Sequence, residues 1–481
     1  MKIKFILPAL TEAKSVFWRP LKYSLFPPLG LATLAGYANE SDDVSIVDEH
    51  IENIHLDDTP DIVALEVYIT SAYRAYEIAD QYRKRGIYVV MGGLHVTSLP
   101  QEALSHAQSI FLGPGEDTWP SFLKDYRQGK PRQIYQSTER TLAGRPAIRR
   151  DLLKRSLYLV PNSLVISRGC PHHCDFCYKN DFFKGGKSFY TDSLEAILSD
   201  ITSLPGRHLF FLDDNVFANP QIANDLFNEM KGFHRIWQAA TTVESLYDKP
   251  LVEKARRAGL RSLFIGFETL NQNNLKHQNK LHNLNYNYAD AIGFLHDLGI
   301  MVNASFVFGM EEDDNDVFEK TAHWAIKQGI ETATFHILTP YPGTTLFKRI
   351  KSQKHLLTED WNLYDTRHCV FKHPTLAPAE LEAGYWRAYK LFYKWRSIFE
   401  SANKKPLDQW IRHVLYTGGW KKIEPLWDII IKLKQLAHTV HLLENILDGH
   451  KDASTERKDT KTTLQKEAQS INNKLFHHHD Q

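Results

Sequence analysis

The sequence has few cysteines, no long apolar run and almost no net charge. Four cysteines occur among 481 residues, and three of them fall within one short stretch, which is unlike a disulfide scaffold. The isolated Cys369 is interpreted as a buried core thiol. No run reaches the roughly 18 apolar residues of a membrane-spanning helix, and a net charge of +1 provides no basic field for nucleic acid. We therefore expect a cytoplasmic globular protein that does not bind nucleic acid and whose clustered cysteines hold a metal.

Residues 1–130 alternate short apolar runs with helical patterns. The runs are KIKFIL, VSIVD, DIVALEV, YVVMGG and SIFLG. Continuous apolar runs are typical of parallel strands that are covered on both faces. The pattern predicts an α/β domain with an open, doubly wound, flavodoxin-like sheet, which binds ligands at the carboxyl ends of its strands. At these ends the sequence places Gly92-Gly93-Leu94-His95 and Gly113-Pro114-Gly115-Glu116.

The remaining chain divides into four further segments. Residues 131–160 are polar and read as a linker. Residues 161–352 repeat a strand–helix unit six times, fewer than the eight units of a closed barrel, so we predict a partial (β/α)6 barrel. Residues 353–450 have a wholly helical pattern. Residues 451–481 are polar and weakly patterned, which predicts a disordered tail.

The clustered cysteines have the spacing CxxxCxxC, formed by Cys170, Cys174 and Cys177. Thiolates at this spacing suit an iron–sulfur cluster or zinc. A structural zinc site needs four closed ligands, and this loop offers three thiolates, to which His172 or His173 would have to be added. Three thiolates on a 4Fe–4S cluster leave one iron open, where S-adenosylmethionine (SAM) can chelate. We interpret the loop as a 4Fe–4S site, with a zinc loop as the alternative.

The loop SRGCPHHCDFCY at 167–178 resembles the signature of the radical SAM superfamily. In that family the aromatic residue before the third cysteine, here Phe176, lies near the adenine of SAM. Further matches follow in the expected order: FLDDN at 211–215, IGFET at 265–269, FGME at 308–311 and TPYPGT at 339–344. The resemblance implies that SAM is bound by Phe176, Asp213, Asp214, Gly266, Glu268, Gly309 and Thr339. Each match alone is weak, since two aspartates can cap a helix and Glu268 can be a solvated carboxylate.

The N-terminal segment resembles the cobalamin-binding domain that precedes the barrel in one branch of this superfamily. The matching loops are GGLHVTSLPQEAL and GPGEDTWPSFL. The resemblance implies cobalamin binding by Gly92, Gly93, Leu94, His95, Gly113, Gly115 and Glu116. The cobalt-ligating pattern DxHxxG of the mutases is missing, because residues 48–53 lack the glycine. His50 is therefore interpreted as a surface histidine. For His95, a role in packing the loop is the alternative to ligand binding.

Residues 361–400 resemble the helical extension of hopanoid C-methylases and related proteins. The segment 420–447 is apolar with interleaved lysines. We expect it to pack on the barrel, and the alternative is contact with a membrane surface that presents a lipid substrate.

The resemblance implies a reaction as well as a fold. A donor such as flavodoxin or ferredoxin reduces the cluster, and SAM is cleaved to a 5′-deoxyadenosyl radical that abstracts hydrogen from an unactivated carbon. The expected outcome is cobalamin-dependent C-methylation, with a lipid or isoprenoid as the favoured substrate. Cyclisation, coupling or oxidation without methyl transfer is the alternative within the branch. A non-catalytic iron–sulfur or corrinoid-binding redox sensor is the alternative from a different class.

Overall fold

The computed structural model describes residues 1–13, 25–403, 405–421, 443–444 and 446–448. The predicted tail, and most of the segment that was considered for membrane contact, lie outside these residues. None of the helices in the described ranges is both long and apolar enough to cross a membrane.

The N-terminal part is a parallel sheet of six strands in the order β2-β1-β3-β4-β5-β6. The order reverses between β1 and β3, as in flavodoxin-like sheets, so the predicted doubly wound fold is confirmed. The strands are β1 Lys2–Leu7, β2 Asp43–Asp48, β3 Ile62–Glu66, β4 Tyr88–Gly92, β5 Ser109–Leu112 and β6 Ile134–Gln136. The edge strand β6 comes from the stretch that was predicted as a linker.

Helices cover both faces of this sheet because the strands are apolar on both sides. These helices are α1 Leu29–Ala35, α2 Ala72–Lys84, α3 Leu94–Ser98, α4 Pro100–Leu104 and α5 Trp119–Arg127. The prediction that His50 is a surface histidine is wrong. Its ring is buried, with Nδ1 2.7 Å from Asp48 Oδ1, and its Nε2 accepts a hydrogen bond from the Leu10 backbone N–H. The chain after β2 thus folds back against the loop that follows β1.

A second parallel sheet of six strands has the order β14-β13-β12-β11-β10-β7. Its two end strands do not pair with each other among the described residues, so the predicted partial barrel is confirmed. The strands of this sheet are β7 Ser163–Leu164, β10 His208–Phe211, β11 Ile236–Thr241, β12 Leu260–Glu268, β13 Met301–Phe308 and β14 Thr332–Ile337, and between β7 and β10 lie β8 Ser167–Gly169 and β9 Phe189–Thr191. The small strands β8 and β9 form a separate antiparallel pair.

Helices α6 to α13 connect the barrel strands and bury its outer face. They are α6 Lys179–Phe182, α7 Leu194–Ser203, α8 Pro220–Met230, α9 Lys249–Arg257, α10 Gln272–His277, α11 Tyr288–Asp297, α12 Val317–Lys327 and α13 Thr345–Ser352. The predicted core position of Cys369 is confirmed, since the thiol is buried and donates to the Phe371 carbonyl at 3.1 Å.

The C-terminal helices cover the open edge of the barrel. They are α14 Pro378–Phe392, α15 Trp395–Ala402 and α16 Leu407–Lys421. Two tyrosine hydroxyls at the C-terminal end of α14 accept hydrogen bonds from backbone N–H groups of the edge strand β14. Tyr393 accepts from the Ala333 N–H and Tyr389 accepts from the Phe335 N–H, both at 3.1 Å. An unpaired strand edge is a site for unwanted pairing, and these side chains occupy it.

Candidate active site

The cysteine loop starts from a backbone position that only glycine can fill. Gly169 ends β8 with φ +78°. A Cβ atom there would lie 1.9 Å from the carbonyl oxygen of Ser188, the residue just before the neighbouring strand β9. The close pairing of β8 with β9 therefore sets where Cys170 begins the loop.

The three thiols of the loop lie close enough to affect each other. Burial, together with the charges of Cys177 and Cys170, raises the pKa of Cys174 to about 12. Burial also raises the pKa of Cys177 to about 11. Within the described residues, no three His, Cys, Asp or Glu side chains are grouped as the ligands of a single metal ion would be. A cubane cluster gives each thiolate its own iron, so neighbouring thiols that do not converge on one point fit a 4Fe–4S cluster better than zinc.

Asp213 holds the strand that leads into the cysteine loop. Its carboxylate is buried and accepts hydrogen bonds from the N–H groups of Ile166 at 3.1 Å and Ser167 at 2.7 Å. Burial raises its pKa to about 6, although these hydrogen bonds act to lower it. These contacts fix the chain between β7 and β8 to the residue that follows the end of β10. SAM binding by Asp213 stays a prediction.

Asp214 lies on the other side of the same loop. Its Oδ2 pairs with Lys179 Nζ at 2.5 Å, and Lys179 follows the third cysteine in the first turn of α6. The helix N-cap alternative does not apply to the two aspartates, because Asn219 caps the following helix α8. Asp214 is about one-third exposed, so its carboxylate remains accessible beside the thiols.

Glu268 ends β12 in a left-handed conformation with φ +63°. The pairing with β13 shifts register between Gly266 and Glu268, and a Cβ at Gly266 would lie 2.5 Å from Glu268 Oε1. The carboxylate is buried, so it is not a solvated group, and its Oε1 pairs with Lys280 Nζ at 2.6 Å. Lys280, which no sequence motif indicated, also lowers the pKa of Cys174.

The other predicted SAM residues lie at neighbouring strand ends. Gly309 follows β13 with φ +89°, and its N–H donates to Asp313 at 2.8 Å. Thr339 follows β14, is buried and donates to the Ile337 carbonyl at 2.9 Å. Phe176 is partly buried against the barrel core. The fold thus brings these residues to the barrel end that carries the cysteine loop.

A cleft of about 840 Å³ opens beside the glycine loops of the N-terminal domain. Its walls include Gly92, Gly93, Gly113, Gly115 and Glu116, all predicted to bind cobalamin. A Cβ at Gly93 would lie 2.9 Å from the Val67 carbonyl oxygen, and one at Gly115 would lie 3.1 Å from Leu34. The glycines thus let the wall of the cleft pack closely, and the cleft is largely apolar, which fits the entry of the nucleotide tail of a corrinoid.

Leu94 and His95 border a second cavity, of about 1000 Å³. Its walls come from the N-terminal domain, the cysteine loop, the end of β14 and the segment after α13. The aromatic members are Tyr68, Tyr178, Tyr341 and Tyr364, and among the described residues that line it there is no lysine or arginine. His95 is buried, with Nε2 3.1 Å from both Tyr76 Oη and Glu102 Oε1.

One ion pair connects the two sites. Arg168, in the strand just before the first cysteine, donates through Nε to Glu116 Oε1 at 2.7 Å. Both residues also line the glycine-walled cleft. The sequence motifs contain both residues but gave no sign that they pair.

The comparisons with known proteins agree with this architecture. A family model of the radical SAM superfamily matches residues 164–325, and one of the B12 binding domain matches residues 23–123. Bacteriochlorophyllide d C-12(1)-methyltransferase of Chlorobaculum tepidum is 29% identical, covering 83% of this chain and 90% of that protein. Hopanoid C-3 methylase of Methylococcus capsulatus is 25% identical, covering 79% and 77%.

Two solved structures share the fold. The radical SAM methyltransferase TsrM from Kitasatospora setae, with cobalamin and a [4Fe-4S] cluster bound, has a TM-score of 0.63 at 13% identity, covering 91% of this chain and 99% of that chain. The cobalamin-dependent enzyme OxsB has a TM-score of 0.64 at 14% identity, covering 94% and 77%.

The fold and the two sites define a radical SAM enzyme with an N-terminal corrinoid domain. The chain belongs to the cobalamin-binding branch of the radical SAM superfamily. Its cofactors are a 4Fe–4S cluster, SAM and cobalamin. Cys170, Cys174 and Cys177 would hold the cluster, and the glycine-walled cleft would hold the cobalamin tail.

Proposed function

We propose that this protein is a cobalamin-dependent C-methyltransferase whose substrate is a large, planar, conjugated ring system. The observation that carries the proposal is the tyrosine-lined cavity between the two cofactor sites. Aromatic side chains bind flat conjugated surfaces by offset or edge-on stacking. The cavity also lies where a substrate carbon would reach both the cysteine loop and the corrinoid domain.

When bound, the cluster and SAM supply a radical that removes a hydrogen atom from carbon, and cobalamin supplies the methyl group. The residues of the chain position the substrate and exclude water. Tyr68 donates to Glu66 Oε1 at 3.1 Å, and the charge of Glu66 together with burial raises the pKa of Tyr68 well above its ordinary value. The hydrogen bond to Glu66 orients the Tyr68 hydroxyl at the wall of the cavity.

The relatives support a conjugated ring as the substrate class. Two of them are bacteriochlorophyllide d methyltransferases, the C-12(1) enzyme above and a C-8(2) enzyme of the same organism at 26% identity. The hopanoid relatives favour the lipid or isoprenoid that was expected from sequence. The four tyrosines of the cavity favour the conjugated ring, because stacking adds binding energy beyond the burial of apolar area.

Two partners belong to the same proposal. A flavodoxin or ferredoxin supplies the electron, since outside the cysteine loop the described residues include a single cysteine, Cys369, which cannot hold a second cluster by itself. Peripheral contact with a membrane is supported by exposed apolar side chains on the last helices, Phe399, Leu407, Ile411 and Leu415. Flotation of the protein with anionic vesicles tests this contact, and a protein that stays at the bottom of the gradient contradicts it.

The function is tested anaerobically with the cluster-reconstituted protein, SAM and a reductant. A magnesium or zinc chlorin and a pentacyclic triterpene are compared as substrates, with and without cobalamin. When cobalamin and the chlorin are both present, we expect 5′-deoxyadenosine, S-adenosylhomocysteine and a product that is heavier than the chlorin by one methylene unit. We expect no methylated product when either one is left out. Methylation of the triterpene alone would overturn the substrate class, and deoxyadenosine without any methylated product would favour the non-methylating alternative.

A matched pair of variants tests the stacking role. Tyr341→Ala removes a ring from the cavity, and Tyr341→Phe retains it. Because an aromatic contact contributes about 0.5–1.5 kcal/mol, we expect the KM for the chlorin to rise about fivefold in the alanine variant and to recover in the phenylalanine variant. Equal KM values in the two variants would contradict stacking.

A further inference from the structure

The wall of the tyrosine-lined cavity contains a carboxylate, that of Asp365. Asp365 lies in the segment between α13 and α14, directly after Tyr364, which also lines the cavity. Its side chain is only 4% exposed. The described residues of this wall include no second carboxylate and no lysine or arginine. A ligand in the cavity therefore meets this carboxylate without a basic side chain of the wall beside it.

One oxygen of the Asp365 carboxylate is held by its own turn. Oδ1 accepts hydrogen bonds from the N–H groups of Arg367 at 2.9 Å and His368 at 3.1 Å, and it lies 3.0 Å from His368 Nδ1. Oδ2 has no hydrogen-bond partner among the described residues, and it is not one of the sealed polar atoms, so it stays open to the cavity. A largely buried acceptor without a donor is unfavourable, which favours a ligand that supplies the donor.

The backbone next to Asp365 is fixed to the barrel sheet. Thr366 also lines the cavity and has φ +64°, which is rare for a β-branched residue. Its carbonyl accepts from the Ile337 N–H at 2.7 Å, and its Oγ1 lies 3.1 Å from His336 Nδ1. Both partners belong to β14, so the sheet that carries the active site also determines where the carboxylate lies.

We propose that Asp365 selects substrates by accepting a hydrogen bond from a hydroxyl group at the periphery of the ring system. The inference rests on the proposed function and names one substituent of its substrate. A carboxylate accepts hydrogen bonds and donates none. A carbonyl group at this place would face its lone pairs, and an apolar group would leave Oδ2 unpaired. The aromatic remainder of the cavity favours a neutral donor over an ammonium group, which would lose its hydration there.

The test measures the binding of three zinc chlorins that differ in one peripheral substituent, which is hydroxyethyl, acetyl or ethyl. The hydroxyethyl group donates and accepts hydrogen bonds, the acetyl group only accepts, and the ethyl group does neither. Dissociation constants are measured by fluorescence titration of the full-length, cluster-reconstituted protein with SAM and without a reductant, so that no turnover occurs. We expect the wild type to bind the hydroxyethyl chlorin about tenfold more tightly than the other two, a difference of about 1.4 kcal/mol.

Asp365→Asn replaces an acceptor by a donor at the same place. The amide oxygen can retain the hydrogen bonds of the turn, and the NH2 group then occupies the position of Oδ2. We expect this variant to bind the acetyl chlorin about tenfold more tightly than the wild type does, and to lose the preference for hydroxyethyl over acetyl. A side chain that only supported the packing of the segment would change the affinity for all three chlorins together.

Asp360→Asn is the matched control. Asp360 lies in the same segment, and its Oδ1 accepts from the Asn362 N–H at 3.1 Å in a similar turn. Its side chain is exposed and does not line the cavity. This variant should bind the three chlorins in the order and with the affinities of the wild type.

Two results would overturn the proposal and leave the proposed function intact. If the wild type binds the three chlorins alike, the cavity does not recognise a hydroxyl group. If Asp365→Asn keeps the preference of the wild type, a group other than Asp365 recognises it. If the wild type binds none of the three, the ring substrate of the proposed function fails, and the role of Asp365 fails with it.

Discussion

At the scale of single residues, glycines and charges shape the active site. Gly169 allows β8 to approach β9 so closely that Cys170 is placed at the barrel end. Glu268 and Lys280 form a buried pair beside the thiols. Such a pair needs both members, because removing one leaves an uncompensated charge in a region of low dielectric.

Gly169→Ala should abolish cluster assembly. The added Cβ would lie 1.9 Å from a backbone oxygen, and φ +78° is unfavourable for alanine. The matched control is Gly144→Ala, where φ is +72° but no atom lies within 4 Å. Iron and acid-labile sulfide after reconstitution should be lost only in the Gly169 variant. A Gly169→Ala protein with a full cluster would show that the loop does not depend on this close approach.

At the scale of elements, a buried ion pair attaches the C-terminal helices to the barrel. Glu331 lies just before β14 and pairs with Lys405, which precedes α16. Its second oxygen accepts from the Val302 N–H at 2.8 Å and lies 3.3 Å from His296 Nε2. Burial alone would raise the pKa of Glu331, but Lys405 and His296 outweigh it and hold the pKa well below its ordinary value.

Glu331→Gln should lower the free energy of unfolding by about 3–5 kcal/mol, because it leaves Lys405 buried without its partner. The control Glu319→Gln breaks an exposed pair with Arg387 and should lower it by less than about 1 kcal/mol. Urea unfolding of both variants measures the difference. Equal losses would contradict the claim that burial makes the Glu331 pair important.

The pH dependence of this pair follows from the lowered pKa of Glu331. A carboxyl group with a depressed pKa in the folded state stabilises the fold fully above its unfolded value, and this contribution is lost as the pH falls through the folded value. The stability difference between wild type and Glu331→Gln should therefore be constant near neutral pH and shrink in acid. A difference that grows in acid would contradict this sign.

At the scale of the whole molecule, the two cofactor sites share a wall. The glycine-walled cleft, which we predict to hold the cobalamin tail, is lined by Phe182 and Phe183, which follow the cysteine loop, as well as by the glycine loops. The pair between Arg168 and Glu116 crosses the same boundary. We therefore expect binding in one site and order in the other to be coupled through these direct contacts.

Arg168→Met should weaken cobalamin binding about tenfold and also lower cluster content, because it leaves Glu116 without a partner in a largely buried position. Arg149→Met, which removes an exposed pair with Asp151, should change neither. Absorbance titration and iron analysis measure the two effects. If cobalamin binding falls while cluster content stays normal, the sites are independent despite the shared wall.

The sequence by itself determined the local parts of this protein. The spacing of Cys170, Cys174 and Cys177 indicated the cluster, because thiolate ligands on one loop are a local feature. The continuous apolar runs predicted both parallel sheets, since strand burial on two faces is visible in consecutive residues. The glycine motifs indicated the cleft, because closely spaced glycines after a strand are likewise visible in consecutive residues.

Only the tertiary structure decided which distant residues meet. Arg168 and Glu116 are 52 positions apart, and their pairing depends on how the two sheets are placed against each other. The same is true of Lys280 beside the thiols and of the burial of His50. Whether a side chain is buried, and which distant residue it contacts, depends on how the chain packs, and no local pattern of residue types contains this information.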